Sequence, residues 1–579
     1  MSKVDFGISR RDFLKGAAAG AVGIAGAGVL SACSNSDSQS SAAATAGNAE
    51  SQTTMAAENQ AADGIGKHTW EVKPAPITDI AETQEYDIVI VGAGMAGNAA
   101  AEAAARNGAK VAVLERSGSI QFRGVDISAI NSDAKIALDG KIDIDTACKL
   151  LYLWSQQTIN YQLLRVWAER TPEVFNYVEG MVREQGLDIV SALSGTAKYG
   201  WETLPERWRV YPDAISYVRG DETGDARGDG KQVAWNIGEA LNKSAVDNGA
   251  EFIFNMHAEQ LVGDAAGGIT GVIAMDENGK YIQYNVSKGV ILATGDISGN
   301  QEMVDTFAPI CNRSEGNIYT PVGCNTGDAI LMGCWVGAAI SKSPAAPMVH
   351  QFTLTSYTFN LTAFIMSWLA VNRDGNRYGA EIPFEPYLTN ARMNTPGNVA
   401  WSVFDGNYAK WVEKQWPTKY EQLLDGIEEE MEKRLEDGSL MKGDTIEELA
   451  EKLGVPAENL KASVEEYNTM CKNGEDTKYD VPADFLSTID TAPYYATPLV
   501  CSTLTIPFGL HVDVNSQVCT EEDEPIKGLY AIGNAQGDFF GLAYPVHCPG
   551  ISHGRCITFG QLVGEALAQD TVISDLEFK

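Results

Sequence analysis

The chain has 579 residues, a net charge of −34 and a sequence pI near 4.5. That balance repels polyanions and excludes a nucleic-acid partner, while the length allows a sizeable core and two domains. Ten cysteines with no C-x-x-C spacing show no iron–sulfur, zinc or c-type haem signature, so neither a metal nor a built-in electron wire is expected.

Ser9-Arg-Arg-Asp-Phe-Leu-Lys15 precedes a Gly/Ala-rich apolar run from Gly16 to Leu30 that is too short and too weakly apolar to span a membrane. The pattern resembles a twin-arginine export signal, a route that carries proteins already folded around their cofactors. Leu30-Ser-Ala-Cys33 has the form of a lipobox, with Cys33 as the candidate lipid anchor and plain cleavage as the alternative. Residues 1–33 are thus read as the signal. Residues 34–79, poor in large apolar side chains, are read as a disordered tether holding the protein in the periplasm or at the cell surface.

Tyr86-Asp-Ile-Val-Ile-Val-Gly92 and the Ala-rich stretch that follows, ending in Lys110-Val-Ala-Val-Leu-Glu115, spell strand, glycine turn, helix and strand. This is the pattern of a dinucleotide-binding βαβ unit. Gly92 permits the tight turn, Gly94 lets the backbone approach a pyrophosphate, Gly97 packs helix on strand, and Glu115 reaches a ribose hydroxyl. A helical middle portion leads to alternating strand patterns at 249–255, 269–275 and 281–286, with a turn at Glu277-Asn-Gly279. Gly289-Val-Ile-Leu-Ala-Thr-Gly295 and Gly528-Leu-Tyr-Ala-Ile-Gly-Asn534 are buried apolar strands that stop at a glycine and a polar side chain. Both are placed to meet the same cofactor, and Tyr544-Pro545 and a helix from about His553 follow.

Gly92-Ala-Gly-Met-Ala-Gly97, Ile291-Leu-Ala-Thr-Gly295, Asn325-Thr-Gly-Asp328, Asp444-Thr-Ile-Glu-Glu-Leu-Ala450, Pro493-Tyr-Tyr-Ala496 and Gly528-Leu-Tyr-Ala-Ile-Gly533 together resemble the FAD-dependent fumarate reductase and 3-oxosteroid dehydrogenase flavoproteins. The likeness runs from about 83 to 570. It implies an α/β fold: a discontinuous Rossmann-like FAD-binding domain, 80–344 and 493–579, with an inserted α+β capping domain, 345–492, and the active site at their junction. It also implies FAD contacts from Gly92, Ala93, Gly94, Ala96, Gly97, Glu115, Arg116, Asp126, Thr294, Gly295, Asp328, Gly533, Asn534 and Ile551. The FAD is expected to be non-covalent, since no histidine lies between His68 and His257.

Enzymes of this resemblance move a hydride between flavin N5 and a carbon beside an electron-withdrawing group, while a side chain exchanges a proton. His350 falls where their cap histidine is expected, and Arg392 nearest to the proton-donor arginine, although the segment Arg377-Tyr-Gly-Ala-Glu381 before it is unusual. Thr505 falls where a carboxylate-clamping His belongs and His547 where the clamping Arg belongs, which disfavours fumarate because a bidentate guanidinium is lost. Tyr544-Pro545 resembles the Tyr-Pro of the 3-oxosteroid enzymes, where a phenol assists proton movement. His553 is weighed as a structural histidine, Cys548 and Cys556 as packing residues, and Phe352, Tyr357, Phe359, Phe364 and Trp368 as core before pocket.

The expected function is an exported FAD-dependent reductase of an enoate or enone. A membrane-linked or cytochrome donor would feed it, with a small organic molecule as electron acceptor. The alternatives are a 3-oxosteroid-type dehydrogenase and a non-catalytic flavin electron carrier.

Overall fold

The computed structural model describes residues 67–124, 126–191, 215–218, 234–317, 323–351, 359–363, 365–382, 387–417, 420–542, 544–545 and 548–578. The export signal, Cys33, Phe352, Tyr357, Phe364 and His547 lie outside the described residues.

The continuous apolar run Ile88–Val91 forms the buried end of strand β1 (Ile80–Val91), as expected of a parallel strand covered on both faces. After the glycine turn come helix α1 (Met95–Arg106) and strand β2 (Val111–Leu114). Farther along the chain lie β3 (Glu251–Ile253), β4 (His257–Asp264), β5 (Gly268–Met275) and β6 (Tyr281–Leu292). Helix α2 (Asp328–Trp335) follows, then β7 (Gln517–Cys519), β8 (Pro525–Ala531) and helix α3 (Ile551–Ala568).

These strands build one sheet in the order β7-β8-β6-β1-β2-β3, with β5 also paired to β6 and β4 to β5. The central pairings are parallel: Val89 stands beside both Ala112 of β2 and Val290 of β6, and Leu529 of β8 stands beside Val290. The first and last thirds of the chain therefore end their strands at one edge, and the loops after β1, β6 and β8 meet there. Ligands of parallel sheets bind at these carboxyl ends.

Helices α1 and α3 pack on each other because both present small residues. A side chain on Gly564 of α3 would lie 2.3 Å from the Ala100 carbonyl oxygen of α1, so only glycine permits this separation. Ala99, Ala100 and Ala103 of α1 are fully buried.

The inserted portion has its own core and an antiparallel four-stranded sheet, ordered 369–372, 400–405, 494–498, 441–443, flanked by helices between 408 and 473. Strand Tyr494–Pro498 belongs to this sheet, with Val403 opposite Ala496. The cap sheet thus runs past 493, where the sequence reading returns the chain to the FAD-binding domain. Phe359 and Trp368 are core residues, grouped with Phe404 and Trp411.

The tether expectation also needs shortening. Trp70 is buried against Phe307, and His68 and Thr69 hydrogen-bond Glu302, so the chain is anchored before residue 79.

Candidate active site

The β1–α1 turn opens on a cavity of about 220 Å³, room for a ligand rather than a single ordered water. Gly92, Gly94, Ala96, Glu115, Arg116, Thr294, Gly295, Asp328, Gly533 and Asn534 all line it. Gly97 does not. Its role is packing, since a side chain there would lie 1.9 Å from the Gly92 carbonyl oxygen. Gly94 is different: a Cβ at this position would meet only the Gln121 carbonyl oxygen, at 3.8 Å. Open space therefore lies over a helix N-terminus that has no side-chain cap, an arrangement suited to a pyrophosphate.

Ala93, Asp126 and Ile551 stand behind the wall. Ala93 donates its N–H to Glu115 (2.8 Å), the Asp126 carbonyl bonds the His553 ring (2.9 Å), and Ile551 is buried at the start of α3. The other Glu115 oxygen accepts the N–H and hydroxyl of Ser117 (2.8 and 2.7 Å). The acid is thereby held at the end of β2.

Beside it sits a charged cluster whose centre the sequence reading missed. Arg116 contacts Asp328 (2.5 Å), Thr326 (3.1 Å) and the His257 ring, while His257 also bonds Glu259 (2.8 Å). The hydrogen bond to Asp328, then that to Glu259, raises the His257 pKa to about 9. Burial works to raise the Asp328 pKa, but His257 and Arg116 outweigh it and hold the carboxyl below its usual range. No local signal marks this meeting: it follows from the pairing of Leu114 of β2 with Ile253 of β3 and from the Met256 N–H bonding the Glu115 carbonyl (2.9 Å), which bring Arg116 and His257 together.

The wall made by β8 and α3 is polar and hydrogen-bonded throughout. Asn534 donates to Thr505 Oγ1 (2.9 Å) and accepts from Ser552 Oγ (3.0 Å) and Arg555 (2.7 Å). Thr505 in turn donates to Asp296, whose carboxylate also accepts the N–H and hydroxyl of Ser298. The Ser552 N–H donates to the Tyr544 phenol oxygen (3.0 Å), and burial raises the Tyr544 pKa, so the phenol stays protonated. Tyr544 is thus one hydrogen bond from a wall residue. His553 lines the cavity beside it, kept neutral by burial.

Of the other two candidates, His350 belongs to a small three-stranded sheet formed by 348–350, 502–505 and 316–317, and Arg392 lies on the short helix Tyr387–Met393. His350 pairs with Ser502 there, and burial pushes its pKa down to about 4. Arg392 neither lines the cavity nor reaches Tyr544. It forms a two-pronged ion pair with Glu315 (3.1 and 2.8 Å) and donates to the Leu499 and Asn398 carbonyls (2.9 and 3.2 Å). Arg377 and Glu381 form a separate buried cluster with Asp476 in the cap (both contacts 2.6 Å). The structure therefore places Tyr544 and Thr505 one hydrogen bond behind the cavity wall, on Ser552 and Asn534, and sets Arg392 apart from it.

The residues present fit FAD: an uncapped helix end under open space, an acid at the end of β2, and a polar wall at the ends of β6 and β8. Comparison with known proteins agrees. The family described as FAD binding domain matches residues 87–548, and a twin-arginine translocation signal sequence matches residues 7–29. The chain is 25% identical over 540 residues to the probable fumarate reductase Ifc3 of Shewanella frigidimarina, covering 87% of this chain and 82% of that protein. It is also 25% identical over 523 residues to the vinyl phenol reductase of Lactiplantibacillus plantarum, covering 85% and 98%. A 3-ketosteroid-Δ4-(5α)-dehydrogenase from Rhodococcus jostii shares the fold with a TM-score of 0.66 at 22% identity, covering 86% of this chain and all of that one.

Proposed function

Because the chain belongs to the FAD-binding domain family and carries a twin-arginine signal, we propose that this oxidoreductase is an exported terminal reductase of an activated C=C bond. Its substrate in this reading is an enone or a mono-acid enoate, not fumarate. The carrying observation is the wall chemistry: Thr505, committed to Asp296 and Asn534, stands where a carboxylate clamp would need a cation. At this position an amide and a hydroxyl suit one carbonyl oxygen and lack the two-pronged cation that a second carboxylate needs.

Bound FAD supplies the hydride. Residues of the chain do the rest. The Tyr544 oxygen accepts the Ser552 N–H, which leaves the phenol proton to donate to a substrate oxygen as charge grows there. His350, uncharged at neutral pH, takes part as a hydrogen-bonding group from the small sheet. Arg392 serves the crossing at Leu499–Cys501, which joins cap to FAD-binding domain, through its bonds to Glu315 and Leu499. FAD is held without a covalent link, a separate membrane-linked or cytochrome donor delivers electrons, and Cys33 anchors the protein at the outer face of the membrane.

The test is steady-state anaerobic oxidation of a reduced viologen by the FAD-loaded protein against fumarate, urocanate, cinnamates, vinyl phenols and a steroid enone. Turnover on the enones or aromatic substrates with fumarate inert supports the reading, and fumarate as the best substrate removes it. The reverse reaction, dehydrogenation of a cyclic ketone, is the second reading, favoured by the free phenol proton of Tyr544. Net oxidation of such a ketone with a dye acceptor, faster than any C=C reduction, would establish it.

A further inference from the structure

Arg555 lies on α3, one turn past Ile551, and is fully buried. Other arginines of the interior hold carboxylates: buried Arg377 has Glu381 and Asp476, buried Arg392 has Glu315, and half-buried Arg106 has Glu565. No carboxylate of the described residues pairs with Arg555. Its guanidinium donates to Asn534 Oδ1 (2.7 Å) and the Gln536 carbonyl (3.4 Å), lies over the rings of Phe540 (4.6 Å) and Phe539 (5.1 Å), and leaves Nε without a partner. Burial draws its pKa below the usual arginine value, yet a guanidinium remains charged at any physiological pH. An unpaired buried charge is expensive and is kept where an anion compensates it.

The position indicates which anion. Asn534, the hydrogen-bond partner of Arg555, lines the cavity, as do Ser552 and Cys556 on either side of it in α3. This portion of the wall comes from β8 and α3. The ribose end, by the dinucleotide fingerprint, is the separate one at Glu115 and Arg116.

We propose that Arg555 is the counter-charge for reduced flavin, acting through Asn534 to raise the reduction potential of bound FAD. In balance, bound FAD would take two electrons, one from each of two equivalents of an external one-electron donor, and one proton from solvent. One negative charge would remain on the flavin, and Arg555 would offset it from behind Asn534. The Asn534 carbonyl, held by both Arg555 and Ser552, fixes the amide so that its nitrogen faces Thr505. This inference rests on FAD binding alone and is independent of the substrate.

The experiment is a dye-mediated anaerobic potential titration of the FAD-loaded protein, wild type against Arg555→Gln and Arg555→Lys. Arg555→Gln is expected to lower the ratio of reduced to oxidised flavin at fixed potential at least tenfold, a shift of about 30 mV for a two-electron couple, while Arg555→Lys shifts it less. An unchanged potential in FAD-loaded Arg555→Gln overturns the proposal. The wild type gives a second test if the variant fails to fold. Between about pH 5 and about pH 6 its potential should fall by about 30 mV per pH unit, one proton per electron pair, and a fall of about 60 mV, two protons, overturns the proposal.

Discussion

Arg392→Met separates a structural from a chemical role for the most deeply buried candidate. Arg392 is 1% exposed and its two-pronged partner Glu315 is also buried, so the substitution leaves a carboxylate in the protein interior without its cation. Breaking a buried pair from one side costs about 3–5 kcal/mol. Here the lower end is expected, because the Cys501 N–H still donates to Glu315 (2.6 Å). The double variant Arg392→Met/Glu315→Gln removes the stranded charge and should recover at least half of the loss, the mark of a coupled pair. Urea unfolding of the FAD-loaded protein, followed by tryptophan fluorescence, measures both variants against wild type, with equal slopes required for comparison. A loss under about 1 kcal/mol for Arg392→Met, together with abolished turnover, would refute the structural account and return Arg392 to the role of proton donor.

Three further outcomes follow from the same geometry. His350 has a folded pKa of about 4 against 6.5, so the unfolded chain binds the extra proton between those values and stability falls as pH drops through that window, by about 3 kcal/mol in all; His350→Gln should remove this part of the acid sensitivity in unfolding midpoints. His257 has the opposite sign: with its pKa raised to about 9, its stabilising contribution is complete below about pH 6.5 and disappears as pH rises through 9, so the melting-temperature gap between wild type and His257→Gln should close at alkaline pH. Gly564→Val places a side chain 2.3 Å from the Ala100 carbonyl and must force α1 and α3 apart, costing about 1–3 kcal/mol or more and weakening FAD retention on gel filtration, whereas a wild-type melting curve would show that the helices are not so closely packed.

The nucleotide unit was legible because its signals are local. Ile88–Val91 reads as a buried strand, and Gly92, Gly94 and Gly97 occur at fixed offsets from it, so β1, α1 and β2 follow from a short window. Export was legible for the same reason. What escaped the reading is set by pairing between distant segments. Tyr494–Pro498 joins the cap only because Trp401–Asp405 is its partner, and nothing within the strand says so. Trp70 looks like part of a polar tether until Phe307 covers it. The Thr505–Asn534–Ser552 network combines three segments, and in the sequence Thr505 registers only as a missing histidine. Arg555 stands in the sequence two residues after His553 with nothing to mark it. Its lack of a carboxylate is a property of the packed interior.

The most direct test of the central claim is a single turnover. The bound flavin is reduced anaerobically with one equivalent of dithionite, mixed rapidly with an aromatic enoate, an enone or fumarate, and its visible absorption followed as it returns. Rapid re-oxidation by an enone or aromatic enoate, slowed at least tenfold by Tyr544→Phe and absent with fumarate, is the predicted result. Re-oxidation by fumarate as fast as by any other acceptor, with Tyr544→Phe unchanged, would contradict it.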